Sequence, residues 1–157
     1  MFSPVCPPQF WGHPFLTPEA YTAHLDVSAV PQITRILTSG QAPTAASPTA
    51  LPKLQTLVRT ASHIPASPTI LVGSGVNAHT IGPLLEELLP YGLREVHLSG
   101  GAWVPSEMEF RRPDLGMGVG GDGEWGVWRT SEERIREVRA LADVAWTEFR
   151  EKAKDGV

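Results

Sequence analysis

The chain has 157 residues, 41% of them hydrophobic, and a formal charge of −4. That balance describes an ordinary water-compatible domain with enough chain for a packed core. It argues against a nucleic-acid partner, which needs clustered Lys and Arg. No apolar run approaches the ~20 residues that span a bilayer, so no membrane role is expected.

Residues 1–15 hold four prolines and no Lys or Arg. The prolines forbid a regular helix, and a secretory signal would need a basic start. The single cysteine, Cys6, cannot form an internal disulfide. A reducing, cytoplasmic setting is therefore the expectation. Thr17-Pro18-Glu19 has the marks of a helix start, and a short helix is expected over about 18–29. Residues 1–32 read as an irregular, Pro-rich N-terminal part and 33–157 as the folded unit.

Ile33 to Thr38 is rich in β-branched residues and stops at Ser39-Gly40, which predicts a strand and a turn. Gln41 to Pro52 is a loop of Ala, Pro, Thr and Ser. Leu51, Leu54, Leu57 and Val58 recur at helical spacing. Thr69 to Val72 predicts a second strand, halted by Gly73-Ser74-Gly75. A helix is expected from near Asn77, with Ile81, Leu84, Leu85, Leu88 and Leu89 as its apolar face. Pro90 and Gly92 end it. Glu95 to Ser99 alternates: Val96 and Leu98 share one face, and Glu95, His97 and Ser99 share the other.

Residues 103–130 read as a long connection, with six glycines between Gly116 and Gly126 beside Trp125 and Trp128. The last helix is the best marked. Thr130 and Glu133 have capping-box spacing, and Ile135, Val138, Ala142, Ala145 and Phe149 form one stripe. Short apolar strands separated by helices predict an α/β fold with a parallel sheet of about three strands.

Four segments, in this order, resemble the C-terminal half of the CutC family. They are Arg35–Gly40 (RILTSG), Gly73–Asn77 (GSGVN), Arg94–Ser99 (REVHLS) and Ser106–Arg111 (SEMEFR) with Met117-Gly118 behind it. The resemblance covers residues ~33–150. It implies a (β/α)8 TIM-type barrel, of which these three strands are the sixth, seventh and eighth: a partial barrel. It also implies copper homeostasis, with copper as the ion bound or handled. The chain departs from the family pattern in places. Gln41 stands where LTSGG has its second glycine, the upstream HRAFD segment is absent, and the small residue and Arg after the eighth strand become Gly100, Gly101 and Trp103. A truncated form of the protein is expected on this reading, with open sheet edges that favour homo-oligomers.

Barrel ligands bind at the C-terminal ends of strands. Gly73, Ser74, Gly75, Asn77, Ser99 and Gly100 therefore form a candidate anion or phosphate cradle, backed by the free N–H groups of the helix after Gly75. The same residues would equally serve tight βα turns. His97 should point into the barrel, where it could bind a metal or hold a proton; a hydrogen-bonded interior histidine paired with Glu95 or Ser39 is the other reading. Arg111 could bind an anion or pair with Asp114. Met108 and Met117 are soft donors that would otherwise fill loop packing; Cys6 and His13 are further donors in the N-terminal segment. GSGVN does not complete the G-x-G-x-x-G pattern, and neither a Walker loop nor a nucleophile-base pair is found. No catalytic residue is assigned. Two functions result: a CutC-type copper protein, or a barrel enzyme or binding protein for a small phosphorylated or anionic ligand, inactive without the other strands.

Overall fold

The computed structural model describes Asp26, Val30, residues 33–111 and residues 124–155. The helix expected over 18–29 and the loop residues Asp114 and Met117 lie outside the described residues, as do Cys6 and His13, apart from Asp26 and Val30 within that helix and its end.

Strand β1 (Arg35–Thr38), helix α1 (Leu51–His63), strand β2 (Thr69–Val72), helix α2 (Ile81–Leu88) and strand β3 (Glu95–Val96) alternate along the chain. The three strands form one parallel sheet in the order β1-β2-β3. Arg35 pairs with Thr69 and Thr38 with Val72, and Leu71 and Val72 pair with Glu95 and Val96. The expected class, α/β with parallel strands, is what the chain forms.

The period of two divides the sheet into unlike faces. Ile36, Ile70, Val72, Val96 and Leu98 belong to one hydrophobic cluster with Leu54 and Val58 of α1 and Ile81, Leu84, Leu85 and Leu88 of α2. Both crossovers thus bury their apolar stripes on the same side of the sheet. Leu54, Val72, Ile81, Leu84, Leu88 and Leu93 are the large side chains fully removed from water. On the other face, Arg35 reaches across β2 to Glu95 through two hydrogen bonds of 2.6 and 3.1 Å. Their alignment on one face is what the strand register requires.

Helix α1 has Pro52 at its first turn, where a missing N–H costs nothing, and the Ala50 N–H donates to Ser47 Oγ just before it. Helix α2 starts at Ile81, later than the Asn77 expected from the sequence. The reason is local. The Asn77 side chain accepts from the His79 N–H at 2.9 Å, and Thr80 Oγ1 accepts from the Asn77 N–H at 2.9 Å. Asn77 therefore organises a turn ahead of the helix.

The connection after β3 differs from the sequence expectation. The 103–130 segment is not loop throughout: strand β4 (Gly101–Pro105) and strand β5 (Gly126–Thr130) form an antiparallel pair with Trp103 opposite Trp128 and Val104 opposite Val127. Glycine and proline at the strand ends hide this pair from a reading by propensity. β3 is also shorter than expected. Its bonding extends only to the His97 N–H, which donates to Val72 O at 2.8 Å, before the chain turns at Gly100.

Helix α3 (Glu132–Asp155) closes the described chain. Val138 is buried, and Ala142, Ala145 and Phe149 pack on the common core, as the stripe predicts, joined by Trp146 from outside the stripe, while Ile135 of the stripe lies against Gly100. The exposed side carries Arg136–Glu132 and Arg139–Asp143 pairs at i,i+4 spacing. The cap sits one residue beyond the expected Thr130. Ser131 Oγ accepts from the Arg134 N–H at 3.3 Å, while Thr130 ends β5 and its hydroxyl donates to Ser99 O at 3.1 Å.

Candidate functional site

The three parallel strands end at the same level, and their following loops enclose a cleft of about 840 Å³. The β1 end contributes Thr38 and Ser39. The β2 end contributes Gly73, Ser74, Gly75 and Asn77. The β3 end contributes His97, Ser99 and Gly100. Six candidate anion-binding residues, Ser39 and His97 are therefore brought together around one space. Its size lies within the range usual for small-molecule sites.

Two expected residues fall elsewhere. Glu95 is one turn of the pleat below His97 and is engaged by Arg35. That hydrogen bond, and then the charge of Glu95, raises the already high pKa of the Arg35 guanidinium. Arg111 donates to Met108 O and Ser106 O, 3.3 and 3.4 Å away, within its own loop. Met108 is 53% exposed, so it does not fill the loop packing expected of it.

The β2 end of the cleft is tightly constrained. Ser74 and Gly75 have consecutive positive φ values of 80° and 66°. The left-handed region is unfavourable for a residue such as Ser, and it persists only where the surroundings impose it. They do so here: the Ser74 hydroxyl donates to Pro43 O at 2.7 Å, and Ser74 O accepts from the Ala45 N–H at 3.0 Å. Gly75 is required by space as well as by conformation. A Cβ there would stand 2.5 Å from Thr44 Oγ1 and 2.9 Å from Thr44 Cβ. Gly75 O is held in turn by the Asn77 amide at 3.0 Å and the Thr80 hydroxyl at 2.8 Å. The side chains of Ser74 and Asn77 are thus spent on shaping the loop. The N–H groups of Gly75, Val76 and Ala78 have no protein acceptor among the described residues.

His97 is exposed on the sheet face away from the helices, and its Cβ lies against Gly73. The bonds to Glu95 or Ser39 weighed from the sequence are not among its contacts; Glu95 pairs with Arg35 instead. His79 borders the same cleft. So do Trp128, Arg134, Glu137 and Val138. The last three come from α3, and no sequence signal ties that helix to the strand ends. Among the described residues no three His, Cys, Asp or Glu side chains group as metal ligands. None of the described helices is long and apolar enough to cross a membrane.

The fold is that of an α/β protein with a cleft at the strand ends of a parallel sheet. Comparison with known proteins makes this specific. The sequence model of the CutC family matches residues 21–102, more than half of the chain, and the chain belongs to that family. It is similar to family protein CutC of Klebsiella pneumoniae (strain 342), with 35% identity over 115 residues, which is 73% of this chain and 42% of that protein. A second Klebsiella pneumoniae protein of the same name (subsp. pneumoniae, strain ATCC 700721 / MGH 78578) is 38% identical over 115 residues, with the same coverage of each chain. Family protein CutC of Salmonella typhimurium (strain LT2) is 32% identical over 110 residues, covering 69% of this chain and 40% of the relative. The chain thus spans about two fifths of the length of the curated relatives it matches.

Proposed function

We propose that residues 33–157 form the sixth-to-eighth-strand portion of a CutC-type (β/α)8 barrel. We propose further that its strand-end cleft takes a small phosphorylated or otherwise anionic ligand, within the copper-homeostasis role that the family resemblance implies. The sequential strand order with both crossover helices on one face supports the barrel reading, because that is how a singly wound barrel is laid down. A doubly wound sheet would place helices on both faces.

One observation carries the ligand reading. The loop from Gly73 to Ala78 is forced into a left-handed conformation at Ser74 and Gly75, and it leaves the Gly75, Val76 and Ala78 N–H groups without acceptors among the described residues, beside the start of α2. Backbone N–H groups at such a place are an anion's natural partners. On this reading residues 33–157 alone would bind without turnover, because the other strands of the barrel would supply the catalytic groups. The test is thermal unfolding of the chain in phosphate against chloride at matched ionic strength. Specific binding raises the melting temperature. Phosphate at 100 times its dissociation constant adds about 2.7 kcal/mol of stability. No difference at millimolar phosphate would remove the reading.

A second reading keeps copper itself as the ligand, and the observation that favours it is that His79 and His97 border one cleft. Imidazole nitrogen suits copper, but two such donors make an open site that other ligands must complete. Copper titration against a competing chelator tests it: tight stoichiometric binding lost in both His97→Ala and His79→Ala supports copper, and unchanged binding in either removes this pair as the site.

A further inference from the structure

A bare phosphate would occupy only a small part of a cleft of about 840 Å³, and the remaining walls are not built for an anion. Leu37, Leu98, Val138 and Trp128 also line it. Trp128 is the unusual member. It sits in β5 directly opposite Trp103 of β4, and the two indoles meet edge to face with centroids 5.3 Å apart. Its ring lies over Gly101 so closely that a Cβ at that position would collide with Nε1. Gly101 is buried, and its carbonyl accepts from the Arg134 guanidinium. The indole is thus fixed from two sides, and yet it remains 48% exposed.

An aromatic ring that is packed on two sides, half open to water and part of the cleft wall is a stacking surface prepared in advance. We infer that Trp128 sets the ligand class of this cleft: a molecule with an anionic group at one end and a flat aromatic ring at the other. The anionic end occupies the Gly73–Ala78 loop, and the ring lies on Trp128. The positive charge of Arg134, beside the indole on the cleft wall, favours a π-system or a second acceptor there. This inference rests on the anion reading of the strand-end loops and adds the second half of the ligand.

The experiment is isothermal titration of the full 157-residue chain with three probes: inorganic phosphate, phenyl phosphate and cyclohexyl phosphate. The inference predicts phenyl phosphate about tenfold tighter than inorganic phosphate, with cyclohexyl phosphate between them, because ring stacking adds to area burial. In Trp128→Ala the phenyl preference disappears, while Trp128→Phe keeps part of it. If phosphate binds and phenyl phosphate binds no tighter, the aromatic half is wrong and the anion cradle stands. A preference that survives in Trp128→Ala also overturns it. If no probe binds at millimolar concentration, the anion reading fails and takes this inference with it.

Discussion

Replacing Gly75 with Ala strikes a point of the cleft constrained by both conformation and space, and its cost can be worked out in parts. An L-residue in the left-handed region costs about 1–2 kcal/mol. The new methyl would lie 2.5 Å from Thr44 Oγ1 and 2.9 Å from Thr44 Cβ. Relief of such overpacking by shifting the 41–45 loop costs about 1–3 kcal/mol. Alanine also restricts the unfolded chain, which returns about 0.4–1 kcal/mol. The net expectation is a loss of about 1–4.5 kcal/mol, from these terms together. In a chain of this size that lowers the melting temperature by roughly 2–18 °C. Urea unfolding of Gly75→Ala, Thr44→Gly and the double variant separates the causes. With the Thr44 side chain gone, only the conformational part of the alanine cost should remain. A Gly75→Ala protein within about 0.5 kcal/mol of the parent would refute the reasoning, since that is the scatter of surface changes without structural cause. An equal cost in both backgrounds would refute the steric part alone.

Leu84 is fully buried at the centre of the helix-facing core, so Leu84→Ala should cost about 2–5 kcal/mol by urea unfolding; a loss under 1 kcal/mol would mean that α2 does not seat there. The cap of α3 is Ser131, so Ser131→Ala should cost about 1 kcal/mol and speed amide exchange at Arg134. Thr130→Ala should leave that amide unchanged, because the Thr130 hydroxyl bonds to Ser99 O instead.

The parts of the fold that a reader of the sequence could recover are those whose signal is periodic and local. The Leu84, Leu85 and Leu88 stripe is buried as expected, Val138 is buried with Ala142, Ala145 and Phe149 of its stripe partly buried against the core, and Val96 and Leu98 pack on the core side that their alternation implies. What stayed hidden depended on partners far along the chain. β4 and β5 are short and bounded by glycine or proline, and their pairing joins Trp103 to Trp128 across a gap of more than twenty residues. The cap at Ser131 was misplaced by one residue because Thr130 satisfies the same local rule while its hydroxyl is taken by Ser99. The convergence of the glycine-rich strand ends on one cleft was legible because short polar βα loops must meet there once the sheet is parallel. The contributions of Arg134 and Trp128 were not, since nothing local says that α3 and β5 return to the strand ends.

The central claim is that the three strand-end loops form one anion site. Amide chemical shifts of the 15N-labelled chain, followed during a phosphate titration at constant ionic strength, test it residue by residue. The account predicts that the Gly75, Val76 and Ala78 amides move most and saturate together with Ser99 and Gly100. Shifts that do not saturate, or that scatter over the Arg and Lys side of α3 with the Gly75–Ala78 amides unmoved, would contradict it.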